Sequence, residues 1–351
     1  MSRPGLRAWL ERTLARAWQA RGALAALLLP LAWLYGALAG LRRWLYQKNV
    51  LRSRRLPVPV VVVGNVVAGG AGKTPVTLAV VAHLQSRGWQ PGIVSRGHAR
   101  QSRGCQAVAP DSAAEQVGDE PLLLRRRAAV PVFVAARRFD AARALLAAHP
   151  LCDIIVCDDG LQHLALARDV EICVFDARGI GNGWLLPAGP LRETWPRRTA
   201  ADDLLLCTDG QPPEVAPRAA SGLWVARRHL ARRAVRADGT QIALTELRGQ
   251  PLKALAGIAR PQAFFDMLRD AGLTLAEQHA LPDHHPFADW PNNPPSDGMG
   301  LICTEKDAVK LWRRAPGAWA VPLALDVPAA FFTALDERLA ARGYHAPTPV
   351  K

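Results

Sequence analysis

Gly69-Gly70-Ala71-Gly72-Lys73-Thr74-Pro75 is the stretch of this 351-residue chain whose residue types most directly specify chemistry. Glycines let successive backbone N–H groups close around phosphate oxygens, a lysine neutralises them, and a threonine hydroxyl can ligate Mg²⁺. Upstream, the valine run Val60-Val61-Val62-Val63 ends at Gly64-Asn65, and an apolar stretch suited to a helix follows Pro75. The common G-x-x-x-x-G-K-[ST] spacing requires a glycine where this chain has Val67, so the loop is nearer the G-G-x-G-K-T form. The plain alternative is an ordinary glycine-rich strand–helix turn. Strand, turn, Lys-Thr and helix in register favour the phosphate cradle.

Further candidates lie downstream. Asp158 and Asp159 close the apolar run Ile154-Ile155-Val156-Cys157. Adjacent carboxylates are costly to bury without a cation, and a carboxylate facing a phosphate loop serves Mg²⁺ directly or through water, so both are metal candidates. Gln162 and His163 follow closely, either able to position a phosphate oxygen, with packing the plainer role for the histidine. Asp119 and Glu120 open a leucine-rich helix; helix capping suffices for Glu120, while Asp119 stays open between a cap and a functional carboxylate. Asp283-His284-His285 can supply an acid–base group, and no partner spacing supports zinc. The loop 182–193, rich in glycine and proline, ends in Arg192-Glu193, with Arg192 able to neutralise a transferred group.

These groups require strands that deliver them. Helix 73–87, strand 92–95, the helix after Pro121, strand 130–135, helix 137–149 and strands 153–158, 171–176 and 203–208 alternate. That pattern predicts a parallel sheet with helices on both faces, whose sites gather at the carboxyl ends of the strands: Gly64, Ser95, Asp119, Asp158 and Asp176. The Pro-rich stretch 211–217 reads as a linker to a smaller α/β lobe. The expected organisation is an N-terminal segment 1–55, a nucleotide-binding core 56–210 and a second lobe 211–351.

The net charge of +14 and pI near 10.4 call for a polyanionic partner: phosphorylated ligand, anionic membrane or nucleic acid. No interleaved aromatic and basic motif supports nucleic acid. The six cysteines form no C-x-x-C pair, and several sit in strand-like runs, as reduced core residues do. Residues 23–40 carry no charge and are flanked by arginines on both sides. With Pro30 inside it, the stretch is short for a bilayer span, and symmetric basic flanks give no orientation. It reads as a helical segment lying in a leaflet, arginines on anionic headgroups; a buried core helix is the alternative.

Taken together, the motifs resemble the tetraacyldisaccharide 4′-kinase family of lipid A biosynthesis. They are Gly64-Asn65 with Gly69-Gly70-x-Gly72-Lys73-Thr74-Pro75, Ser95-Arg96-Gly97, Val117-Gly118-Asp119-Glu120-Pro121, Asp158-Asp159-Gly160-Leu161-Gln162-His163, Leu186 to Glu193, Asp283-His284-His285 and Thr304-Glu305-Lys306-Asp307. The resemblance implies a phosphate-loop NTPase-like α/β fold and an enzyme at the cytoplasmic face of the bacterial inner membrane. It would move the γ-phosphate of ATP, with Mg²⁺, to the 4′-hydroxyl of a disaccharide 1-phosphate. It further implies Asp119 as base assisted by His284, ATP held by Asn65, Gly69, Gly70, Ala71, Gly72, Lys73, Thr74 and Pro75, and metal held by Thr74, Asp158 and Asp159. Ser95, Arg96, Gln162, Arg192 and Glu193 would face substrate or phosphate. Val67 replaces the hydroxyl residue usual before the double glycine, and His98 an aromatic. A regulatory or metallochaperone NTPase is the rival class. Guanine-specific members need an N/T-K-x-D spacing that Thr304-Glu305-Lys306-Asp307 fails, which favours ATP.

Overall fold

The computed structural model describes residues 13–14, 16–70, 72–98, 100–196, 203–208, 222–283, 285–287, 290 and 299–347. Its larger sheet has the order β3-β4-β2-β5-β1-β6-β7-β8, built from β1 (Val60–Gly64), β2 (Pro91–Ser95), β3 (Gln106–Ala107), β4 (Val132–Val134), β5 (Ile154–Asp158), β6 (Val170–Phe175), β7 (Leu204–Cys207) and β8 (Leu223–Val225). Only β3 runs antiparallel to its neighbour. β1 sits between β5 and β6, and every residue of it is buried. That explains an unbroken valine run where a half-exposed strand would alternate.

Helices cover both faces. The short α1 (Ala23–Leu27) and α2 (Leu29–Gln47) come first, then α3 (Lys73–Ser86), α4 (Ala114–Val117), α5 (Asp119–Ala128) and α6 (Arg138–Ala148). Val61 and Val63 pack with Val76, Val80 and Leu84 of α3, while Val60 and Val62 pack with Ala141 and Leu145 of α6 on the other face. Register aligns Val63 with Asp158 and Val94 with Cys157, so the ends of β1, β2 and β5 reach one level.

The second sheet, order β11-β10-β15-β14-β12-β13, comprises β10 (Arg233–Val235), β11 (Gln241–Ala243), β12 (Pro251–Ala256), β13 (Thr274–Ala280), β14 (Gly300–Thr304) and β15 (Trp319–Val321). It carries α7 (Pro261–Asp270) and α8 (Glu305–Leu311). A ribbon of β9 (Arg227–Leu230) and β16 (Leu323–Asp326) joins the lobes.

The expected boundary after residue 210 does not divide the chain cleanly. β8 pairs with β7 and completes the first sheet. The last helix, α9 (Ala329–Ala341), returns to bury Phe331, Leu335 and Leu339 against Val80 and Leu84. The stretch 211–217 lies outside the described residues. Of the six cysteines, five are buried and Cys105 is exposed, departing from a core role for that one.

The uncharged stretch near the N-terminus is neither a free span nor a core helix. Pro30 falls in the first turn of α2, where it costs no hydrogen bond. One stripe of α2 meets the larger lobe: Ala32 is buried, Tyr35 Oη donates to Arg192 O at 2.7 Å, and Arg42 Nη1 donates to Gln162 O at 3.0 Å. The opposite stripe, Leu31, Leu34, Leu38 and Leu41, is exposed, as are Trp33 and Trp44. None of the described helices is long and apolar enough to cross a membrane.

Candidate active site

Asn65, fully buried beyond β1, folds the phosphate loop: its amide donates to Gly69 O at 3.3 Å, and its Oδ1 accepts from Lys73 Nζ at 3.4 Å. Gly69 (φ +95°) and Gly72 (φ +73°) occupy the left-handed region that glycine tolerates. A Cβ on Gly72 would stand 2.9 Å from Arg228 Nη2, so β9 closes over the loop. Lys73 and Thr74 open α3, whose first-turn N–H groups point toward the loop. Ala71 lies outside the described residues.

Val67 makes an antiparallel β-bridge with Leu191, while Ala68 N–H donates to Pro190 O and Arg192 N–H to Val66 O, each at 2.7 Å. The backbone there is paired, not turned, so no glycine is needed. This pairing also delivers the end of the 182–193 loop. Arg192 Nη1 donates to Asp159 Oδ1 at 3.3 Å and to Gln162 Oε1 at 3.4 Å. Gln162 Nε2 in turn donates to Asn65 O at 3.0 Å and Glu193 Oε1 at 2.8 Å. Buried Glu193 also pairs with Arg43 of α2.

The adjacent carboxylates have opposite electrostatics. Asp158 is buried at the end of β5, accepting from Thr77 Oγ1 at 3.1 Å and Ser95 Oγ at 3.3 Å. Burial, followed by Glu120 and Asp159, pushes its proton affinity up to about 7 against the pull of Lys73. Asp159 follows at φ +48°, its Oδ1 3.4 Å from Lys73 Nζ. Burial would raise it, but Lys73, Arg192 and Arg138 together hold it below the usual carboxylate range. A cation beside Asp158 would offset the cost of ionising it, and the side-chain oxygens of Thr74, Asp158 and Asp159 are hard donors of the kind Mg²⁺ takes. Among the described residues no cluster of three or more His, Cys, Asp or Glu could hold a metal. Magnesium held by one or two carboxylates plus phosphate oxygens needs none.

Asp119 and Glu120 lie in the first turn of α5, where the helix dipole favours a carboxylate, while Gly118 is the N-cap and offers no side chain to cap with. Asp119 Oδ2 accepts from Lys310 Nζ at 2.8 Å. Glu120 lines a cleft between the lobes, with the loop and Gly72, Lys73, Thr74 and Pro75 on one wall and Ile258, Phe264, Met267, Val321 and Leu323 on the other. Asp283 and Lys306 lie on the same cleft, Lys306 Nζ 3.0 Å from Asp283 Oδ1. His284 lies outside the described residues; His285 Nδ1 accepts from Phe287 N–H at 3.1 Å.

Other expected residues sit differently. Ser95 is buried beside Asp158, and its hydroxyl donates to Asp158 Oδ2 at 3.3 Å. Arg96, beyond the end of β2, is exposed. Burial first, then Arg138 and Arg168, lower His163 to about 4, leaving it neutral near pH 7.

Three contributors were not singled out from sequence. Arg138 Nη2 donates to Asp159 O at 2.9 Å, Arg178 Nη2 to Gly70 O at 2.9 Å, and Lys310 reaches Asp119. The available signals were an arginine opening a helix directly after a strand, an arginine two residues past Asp176, and a lysine four residues beyond Lys306.

The family model described as tetraacyldisaccharide-1-P 4′-kinase matches residues 24–340. A tetraacyldisaccharide 4′-kinase of Acidovorax sp. (strain JS42) is 59% identical over 340 residues, covering 97% of this chain and 98% of that protein. One from Delftia acidovorans is 52% identical over 331 residues, covering 94% and 95%. A crystal structure of LpxK from Aquifex aeolicus in complex with ATP superposes with TM-score 0.78 at 26% identity, covering 90% of this chain and 99% of that one.

Proposed function

The chain belongs to the tetraacyldisaccharide 4′-kinase family, and from that premise we propose how its residues divide the work of phosphoryl transfer. The activity is that of an ATP-dependent kinase of lipid A biosynthesis, acting on the 4′-hydroxyl of a tetraacyldisaccharide 1-phosphate. The observation that carries the division is the position of Lys73, 3.4 Å from both Asn65 Oδ1 and Asp159 Oδ1 at the mouth of the glycine loop. It is poised to exchange those contacts, one of them with a carboxylate, for the β- and γ-phosphates.

In this reading the amides of Gly69, Gly70, Ala71 and Gly72 and the start of α3 cradle the triphosphate. Phe264, Ile258 and Met267 offer an apolar wall for the base. Thr74, Asp158 and Asp159 would hold Mg²⁺, which would supply charge neutralisation for the triphosphate. Asp119 accepts the proton of the 4′-hydroxyl, with His284 as its assistant, while Arg192 faces the transferred group. Ser95, Gln162 and Glu193 act as supports: Ser95 for Asp158, the other two for the backbone of Asn65 and for Arg192. Arg96, exposed beyond the end of β2, is available to a phosphate of substrate or nucleotide. The exposed stripe of α2 rests on the anionic cytoplasmic leaflet of the inner membrane, so acyl chains stay in lipid while the sugar enters the cleft.

The test is incubation with γ-labelled ATP and the lipid disaccharide 1-phosphate, followed by separation of a bis-phosphorylated product. Lys73→Ala and Asp119→Ala each lower turnover by about a thousandfold or more while the fold survives. Near wild-type transfer by Asp119→Ala removes it as the base.

A further inference from the structure

The stretch Thr304-Glu305-Lys306-Asp307 opens α8, which carries Lys310 in its last turn. The start of this helix is fixed in place. Thr304 Oγ1 accepts from Asp307 N–H at 3.2 Å and donates to Asp307 Oδ2 at 2.6 Å, and the same Oδ2 accepts from Gly257 N–H at 2.9 Å. Glu305 pairs with Arg127 near the far end of α5.

Lys306 and Lys310 are four residues apart and so project from one face of the helix. Lys306 takes Asp283 and lies 3.7 Å from Glu120 Oε1. Lys310 Nζ lies 2.8 Å from Asp119 Oδ2, with side chains only 8% and 12% exposed. Dehydrating an ammonium is costly and is tolerated where a carboxylate compensates it. Here that carboxylate belongs to the other lobe, at the residue assigned above as the base.

We propose that Lys310 is a positioning residue for the phosphoryl-transfer step: it reaches across the lobes and fixes the Asp119 carboxylate, next in the chain to Glu120 of the cleft wall. The inference rests on the assignment of Asp119 as base. It gives the rigid start of α8 a role in catalysis. One helix sets where the first lobe's carboxylate stands and, through Lys306, where the Asp283 end of the His284 segment stands.

The experiment compares Lys310→Met, Asp119→Asn and the double variant, with kcat and KM for ATP and lipid from labelled-phosphate transfer and a melting temperature for each. Lys310→Met lowers kcat about tenfold to a hundredfold, the loss expected from a misplaced catalytic group. KM for ATP changes by less than about threefold, because the phosphate loop is untouched. Added to Asp119→Asn, the same change costs no further turnover. Removing one partner of a buried pair also destabilises, so the double variant, lacking both charges, regains melting temperature lost by Lys310→Met yet stays inactive. That pattern separates a defect of the fold from a defect of positioning. Unchanged kcat in Lys310→Met, or losses that multiply in the double variant, overturn the proposal. Full turnover in Asp119→Asn instead removes the base assignment beneath it.

Discussion

Replacing Leu34 and Leu38 by serine tests whether the outer stripe of α2 is a membrane surface. Leu34 is 59% and Leu38 60% exposed, four residues apart on one face. Full burial of a leucine side chain is worth roughly 2 kcal/mol, so inserting the exposed three-fifths of each contributes about 1.2 kcal/mol. The pair then accounts for about 2.4 kcal/mol, a factor of roughly 60 in partitioning. Fold stability should scarcely move, because these side chains are already in water and the docked stripe, with Ala32, Tyr35 and Arg42, is unchanged. The assay is co-sedimentation with vesicles of phosphatidylglycerol and phosphatidylethanolamine, with turnover on a detergent-dispersed short-chain substrate as control. Weaker vesicle binding with intact turnover on the dispersed substrate is expected. Undiminished sedimentation by a folded double variant would refute the reasoning, since the roughly 60-fold contribution assigned to this pair would then be missing.

Gly72→Ala forces a side chain into φ +73°, with its Cβ 2.9 Å from Arg228 Nη2 and 3.1 Å from Thr208 Oγ1. The left-handed conformation alone costs roughly 1–2 kcal/mol, so calorimetry should show weaker ATP binding and a lower melting temperature; wild-type affinity would show that the loop does not need this turn. The raised proton affinity of Asp158 fixes the sign of a pH effect. Between the ordinary carboxylate range and about 7, the folded state keeps a proton that the unfolded chain has lost. Stability without metal should fall as pH rises through that window, by up to a few kcal/mol. Asp158→Asn should flatten that slope, and Mg²⁺ should stabilise wild type more at pH 8 than at pH 5. A melting temperature that climbs with pH in wild type but not in Asp158→Asn reverses the sign and defeats the assignment.

The parallel sheet was legible because buried strands write themselves as apolar runs, and β1 is the extreme case. The loop was legible because glycine, lysine and threonine occur there in a local order. What could not be read was where distant segments close. Nothing local in Leu223-Trp224-Val225 says that it completes the first sheet, since either lobe could use a short apolar strand. Nor does Phe331-Phe332 announce a return to α3, because a helix face declares that it is buried and not against what. Val67 looked like a defect for the same reason: its partner, Leu191, lies far along the chain. Ser95 likewise shows no partner in its own stretch: it ends a strand, and only the register with β5 sets its hydroxyl 3.3 Å from Asp158.

The loop 182–193 joins what the sequence presents as separate parts. Towards the N-terminus, Asn182 N–H donates to Trp18 O at 2.8 Å, Trp18 Nε1 donates to Pro187 O at 2.9 Å, and Tyr35 Oη donates to Arg192 O. Gly36 approaches so closely that a Cβ would stand 2.6 Å from Leu185 Cδ1. Towards the nucleotide, the same loop pairs with residues 66–68 and extends Arg192 to Asp159. A short polar and packed path therefore fixes α2 relative to the phosphate loop. If α2 lies on the bilayer, the height of the γ-phosphate above the lipid is set by this loop and not by diffusion of the enzyme. A substrate whose acyl chains hold it at one depth then meets the phosphate at a defined distance, which is the geometric condition for in-line transfer. Gly36→Leu, which would wedge α2 away from Leu185, should accordingly lower kcat on vesicle-borne substrate more than on dispersed substrate. Equal losses on both would place the effect in the site itself.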